Sequence, residues 1–136
     1  MSNPFPTSRI APQLLSVLRI VGAFLFIAHG SAKLLGFPIA PGAEPHLAPT
    51  GSLVWVAAWL EFVGGALVLV GAFTRPIAFL LSGLMAVAYF MSHAPNGFWP
   101  LLNRGELAVL FSFLFLYLSA AGPGPWSVDA VRGRSK

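Results

Sequence analysis

The sequence predicts an all-α integral membrane protein, a bundle of four spanning helices with both termini in the cytoplasm. Three observations carry that reading. The 136 residues are 57% hydrophobic and only 9% charged, whereas soluble domains carry about 25% charged residues. Four apolar segments approach the length needed to cross a bilayer. The basic residues are unevenly shared: Arg9, Arg19, Arg75, Arg132, Arg134 and Lys136 fall on one side of the segments, and Lys33 and Arg104 on the other. Cytoplasmic loops carry the excess of Lys and Arg.

A polar N-terminal segment, residues 1–11, precedes a membrane domain over residues 12–121. Its spans cover residues 13–35, 52–73, 76–92 and 105–121, and a basic tail follows over 122–136. Pro12 and Pro76 suit first helical turns, where a missing N–H is no loss. The first segment has a basic start and small residues near Ala28, as a signal peptide would, but it is too long and carries Arg19, so it is expected to stay as a span. The loop from Gly36 to Gly51 is rich in Pro and Gly. Thr74-Arg75 reads as a tight turn, and Pro95-Asn96-Gly97 as a turn before the interfacial Phe98 and Trp99. The third and fourth spans are near the lower limit of about 17 residues, which implies a thin or tilted fit.

Glu61 is a lone carboxylate within about 22 apolar residues, Ser52 to Phe73. A charge at that depth is expensive unless paired or hydrated, and by default it marks a site. On helical geometry Arg19, Gly22, Phe26, His29 and Lys33 share one face of the first span, which must look into the bundle. Ala57, Ala58, Glu61, Gly64, Gly65 and Val68 share a face of the second, where small residues admit a neighbouring helix. Ser82, Ala86, Tyr89 and His93 align in the third, and Glu106 and Tyr117 in the fourth. Depth brings His29, Lys33, Glu61, His93 and Glu106 into the extracytoplasmic half, with Glu61 roughly 14 Å below the surface.

Each of these has a structural alternative. Glu61 can pair with Lys33 or His29 as glue between helices, Glu106 can favour its helix N-terminus, and Arg19 and Lys33 can snorkel. Bis-histidine haem and a His/Glu metal site are chemically allowed, but no spacing favours them and no metal is assigned. Cysteine is absent, which removes disulfides, thiolate-held clusters and thiol exchange by this chain. The net charge of +4 is too small and scattered for nucleic acid.

In this order and spacing, several short motifs resemble the DoxX family of small four-helix membrane proteins. They are Arg19 with His29-Gly30 and Lys33, Glu61-Phe-Val-Gly64-Gly65, Arg75, His93 with Asn96-Gly97-Phe98, Gly105-Glu106, and Gly122-Pro-Gly124 with Ser127-Val-Asp129. The resemblance covers nearly the whole chain, from Arg19 to Asp129. It implies a multi-pass protein of the bacterial inner membrane, related to the small membrane subunit of a thiosulfate:quinone oxidoreductase. Some members accompany soluble partners in oxidoreductase complexes, and distant eukaryotic relatives act in folding or trafficking of membrane cargo. No sulfur-handling residue carries over to this chain, so thiosulfate is an analogy only.

The expected function is therefore a membrane subunit of an oxidoreductase-type system, with a pocket for a quinone or similar small molecule in the outer half of the bundle. Glu61, His29 and His93 are the candidate proton donors and acceptors; Lys33, Glu106, Arg19 and Tyr89 are the candidate binding residues. Trp55, Trp59, Tyr89, Phe90 and Trp99 are candidate aromatic walls. Expected partners are the lipid bilayer, a soluble or membrane protein that carries electrons, and a further copy in a homo-oligomer. The rival is a non-enzymatic scaffold or assembly factor, with the Glu61 cluster as an internal lock and the Gly64-Gly65 face as a docking surface. A proton-coupled transporter fits less well, for want of a repeat or broken spans.

Overall fold

The computed structural model describes residues 7–134. The first six residues and Lys136 lie outside the described residues, as does the Arg134 side chain. All regular elements among the described residues are helical: α1 (Thr7–Leu35), α2 (Leu53–Val70), α3 (Thr74–Asn96), α4 (Pro100–Asn103), α5 (Glu106–Ala121) and α6 (Val128–Arg134). Helices α1, α2 and α3 are long and apolar enough to cross a membrane, and α5 is a shorter apolar helix of 16 residues. At 1.5 Å per residue α5 spans about 24 Å, short of a hydrocarbon core of about 30 Å.

Local chemistry sets the helix ends. The Ser52 hydroxyl accepts the Trp55 N–H at 3.1 Å and caps α2. Helix α2 ends at Gly71, whose φ of 71° suits a residue without Cβ. There Ala72 N–H reaches back to Leu67 O and Gly71 N–H to Val68 O, the paired bonds of a Schellman stop. The turn thus lies at Gly71–Phe73, and Thr74-Arg75, expected to form it, already opens α3. Helix α3 also outruns its expected end at Ser92. The hydropathy falls off there, but a π-turn at Tyr89–His93 and a 3₁₀ turn at Ala94–Asn96 carry it on, and Asn96 Nδ2 donates to Ser92 O.

The helices pack as two close pairs, α1 with α2 and α3 with α5. Glycines permit the approach: a Cβ at Gly65 would meet Ile27 of α1, and one at Gly22 would meet Leu114 of α5. Leu81 of α3 seats over Gly64 in the same way. Gly64 and Gly65 are therefore consumed inside the bundle, and the docking surface expected there does not exist. Serines join the second pair: Ser82 Oγ donates to Ser112 O at 2.7 Å, and Ser112 Oγ returns the bond to Ser82 O at 3.0 Å. Between the pairs, Phe26 meets Phe115 edge-on at 4.7 Å and Phe111 at 5.2 Å. Phe24, Phe79, Leu110 and Phe113 are exposed, as side chains facing lipid should be. Tyr117 and Glu106 also point outward; α5 turns Ala108, Phe111, Phe115 and Leu118 inward instead.

One end of the bundle is held by Arg19, which has no exposed surface. Its Nε donates to Pro123 O and its Nη1 to Val68 O, each at 2.7 Å, with further bonds to Leu69 O and from Nη2 to Trp126 O. It therefore does not snorkel. It neutralises the carbonyl end of α2 and ties the C-terminal segment to it. Arg75 does the same for α5, donating to Ser119 O and Ala120 O. Asp129 completes the closure, with Oδ1 accepting Phe73 N–H and Oδ2 accepting Thr74 N–H, both at 2.9 Å, which caps α3 from α6. The tail thus folds back onto the turn between α2 and α3, where Arg132 lies 5.4 Å over the Phe73 ring. Burial alone would raise the Asp129 carboxyl, but the Thr74 and Phe73 N–H groups and the Arg132 charge outweigh it and hold it below the ordinary carboxylate range.

Two outcomes follow. Arg19→Lys keeps the charge but loses the planar fork, and is expected to lower stability by about 2–6 kcal/mol because two carbonyls lose their donors at about 1–3 kcal/mol each. Thermal unfolding in detergent, read by circular dichroism, checks this. The depressed Asp129 group contributes fully above an unfolded-state pKa of about 3.9, and the contribution fades as pH falls through its lower folded value. Asp129→Asn should cost about 0.5–2 kcal/mol at neutral pH and flatten the acid limb of the stability profile.

Candidate functional site

The opposite end of the bundle holds the polar residues. Helix α1 carries His29 and Lys33 there because they continue the face of Arg19 and Phe26. In α2 the run Leu60–Gly64 forms a π-turn around Glu61, and in α3 the π-turn at Tyr89–His93 ends on His93. Such turns insert an extra residue into the helical count and often mark functional positions. Here both sit where a polar side chain is aimed inward.

Lys33 Nζ donates to both carboxylate oxygens of Glu61, at 2.7 and 2.8 Å. Glu61 is 3% exposed and Lys33 35%, so the acid is the buried member of the pair and the amine the more accessible one. The pair requires α1 and α2 to lie very close. A Cβ on Gly30 would stand 2.7 Å from Phe62 N and 2.8 Å from Ala58 O, both backbone atoms.

A cavity of about 280 Å³ opens beside the pair, with His29, Lys33, Glu61, His93 and Arg104 as its polar lining. Phe26, Phe111, Met85 and Leu107 supply apolar walls, and His29 lies edge-on to Phe111 at 5.9 Å. His93 Nδ1 is 3.0 Å from Asn103 O. A carbonyl only accepts, so Nδ1 carries hydrogen and Nε2 is the atom left to exchange with a ligand. Tyr89 stacks on the His93 ring. Buried Asn103 holds this corner, donating to Gly97 O at 2.8 Å and to the Tyr89 hydroxyl at 3.2 Å while accepting Gly105 N–H at 2.8 Å.

The structure thus brings together His29, Lys33, Glu61 and His93 of the residues expected from the sequence. Tyr89 supports the site from behind. Glu106 stays outside, exposed in the first turn of α5, where the helix dipole favours an acid. Arg19 lies at the far end, fully engaged with carbonyls. Trp55, Trp59, Phe90 and Trp99 do not line the cavity; Phe26 and Phe111 do. Asn103 and Arg104 were not expected here. Arg104 takes a left-handed conformation, φ 60°, which turns it toward the cavity just after α4, and the only sequence signal for this is the adjacent Gly105-Glu106. Among the described residues, no group of three or more His, Cys, Asp and Glu is placed to hold a metal ion.

The DoxX family model matches residues 14–94. An uncharacterized protein of Haemophilus influenzae is 46% identical over 121 residues, covering 87% of this chain and 90% of its own length. Inner membrane protein YqjF of Escherichia coli is 30% identical over 117 residues, 85% of this chain and 88% of its own. Inner membrane protein YphA of the same organism is 28% identical over 133 residues, with 87% and 89% covered. No solved structure matches the chain.

Gly30→Val tests the close approach that makes the ion pair. The added carbons must displace backbone, so a loss of about 1–3 kcal/mol is expected, with the Lys33–Glu61 pair broken; a melting temperature equal to wild type would contradict the geometry.

Proposed function

The chain belongs to the DoxX family, and from that premise we propose that it is the membrane subunit of an oxidoreductase-type system whose pocket takes a quinone head group. It is an inner-membrane protein, as its named Escherichia coli relatives are. The basic bias of Arg9, Arg19, Arg75 and Arg132 puts the Arg19 end in the cytoplasm and the pocket in the outer half of the membrane.

The observation that carries the reading is the lining of the cavity. Two imidazoles, an ammonium, a guanidinium and a buried carboxylate converge on a small space walled by two phenylalanines. A volume of about 280 Å³ is near the low end of ligand pockets, which run from about 300 to 1,000 Å³, and suits a planar head group. Phe26 and Phe111 offer ring faces to such a plane. Lys33, Arg104 and the histidines offer donors to carbonyl oxygens on its rim. When bound, the quinone supplies the electron-accepting chemistry. The chain holds the head, and His93 Nε2 and His29 exchange protons with it while Lys33 keeps Glu61 in place. With no cysteine in the chain, electrons come from a partner protein.

The bidentate geometry of Lys33 on Glu61 favours one other reading, a lock within a non-enzymatic scaffold, since both acid oxygens are already engaged. Glu61→Gln and His29→Ala, purified in mild detergent, separate the two. On the quinone reading the wild type releases a stoichiometric quinone on organic extraction, read by mass spectrometry. Both variants keep their helical signal and lose the quinone by about tenfold or more in affinity, as expected for losing one charged hydrogen bond of about 1.5–3 kcal/mol. An empty wild type, with Glu61→Gln unfolded, would establish the lock.

A further inference from the structure

A second cavity, of about 300 Å³, lies on the other side of the Lys33–Glu61 pair, between α2 and α3. It shares Lys33, Glu61 and Ala88 with the first cavity, so the ion pair and one alanine are the partition between them. Apart from Ser92, the rest of its lining is apolar, including Ala57, Val87 and Met91. Helices α2 and α3 meet where Leu81 seats over Gly64, touch sparsely elsewhere, and leave this groove toward the pocket end. The groove does not stop there. A further hollow of about 440 Å³ shares Leu60, Leu84 and Val87 with it and continues along α3 past Gly83 to Pro76. From Met91 to Pro76 the track is about 22 Å long at 1.5 Å per residue.

The geometry points to a lateral entry site for a tailed amphiphile. The head passes the Lys33–Glu61 partition into the inner cavity while an isoprenoid-type tail lies in the α2–α3 track. This rests on the reading of the inner cavity as a quinone-head site and assigns that site a membrane-dissolved ligand rather than a water-borne one. Three features commit the track to a tail. It is continuous with a polar cavity too small for a whole lipid. Its lining beyond the partition is apolar, with Phe79, Leu80 and Val87 exposed on the outer face of α3. The half-exposed Lys33, on a flexible stem, is the part of the partition able to swing aside.

Gly83 offers a clean test, because an added Cβ there meets nothing within 4 Å, and the exposed Val87 lines both apolar hollows. Gly83→Trp and Val87→Trp fill the track without touching the head cavity, and Leu110→Trp, on an exposed face of α5, is the control. Binding of a decyl-substituted benzoquinone and of its tailless counterpart is titrated against each purified variant. The expected result is a loss of about tenfold for the tailed probe alone in both track variants, the effect of about two methylenes losing burial, with Leu110→Trp unchanged. Equal affinities of the tailed probe for wild type and track variants would overturn the lateral site while leaving the head site standing. Failure of the wild type to bind either probe would overturn the quinone reading, and the tail site with it.

Discussion

A guanidinium with no exposed surface, deep in a membrane helix, must place its donors on acceptors it can keep. Arg19 does so without a carboxylate in contact, using only main-chain oxygens from the last turn of α2 and from the segment after α5. Val68 O already accepts the Gly71 N–H; the guanidinium gives it a second partner and supplies donors to carbonyls at a helix end and a tail crossing. One side chain thus joins the last turn of α2 to the segment after α5, and the register of α1 against α2 follows from where those carbonyls fall. About four turns further along α1 the same register presents Lys33 to Glu61. The pocket is built outward from the Arg19 cage.

The pocket end is organised differently. At the Arg19 end charges meet carbonyls, in bonds that fold the chain shut. Around Lys33 a charge meets the side chain of Glu61, beside open volume lined by two imidazoles. The two π-turns contribute to this by widening the helices at Glu61 and His93, and Gly30 compensates by letting α1 reach the widened α2. Asn103 then fixes His93 through its own carbonyl while its amide spans Gly97, Tyr89 and Gly105. The last residue of α4 thereby sets which imidazole nitrogen is engaged and which is left free.

Hydropathy made the spans legible, because it is a property of whole segments. The convergence of His29, Lys33, Glu61 and His93 was legible from depth, since helical rise converts residue number into height. Glu106 failed the same argument: at the first turn of a short helix, height is right but azimuth is wrong, and the dipole gives the acid a reason to stay outside. Arg19's role was hidden because its partners are backbone atoms, which have no signature in sequence. The π-turns were hidden because one extra residue in a helix leaves hydropathy unchanged. Arg104 and Asn103 were hidden because their placement depends on a left-handed residue after a single helical turn, where periodicity says nothing.

The reciprocal serine bonds of α3 and α5 divide the bundle mechanically. Ser82 and Ser112 lock those two helices into one rigid leg, as the Gly30 approach and the ion pair lock α1 and α2 into another. Among the described residues, the bonds to main-chain atoms that join the legs lie near Gly71, Asp129, Ser16 and Arg19, at one end; elsewhere the legs meet through side-chain contacts such as Phe26 on Phe115. A hydrogen-bonded joint at one end and aromatic contacts in the middle give the molecule the layout of a pair of tongs. At the Lys33 end, among the described residues, no hydrogen bond joins one leg to the other, and the cavity lies between them.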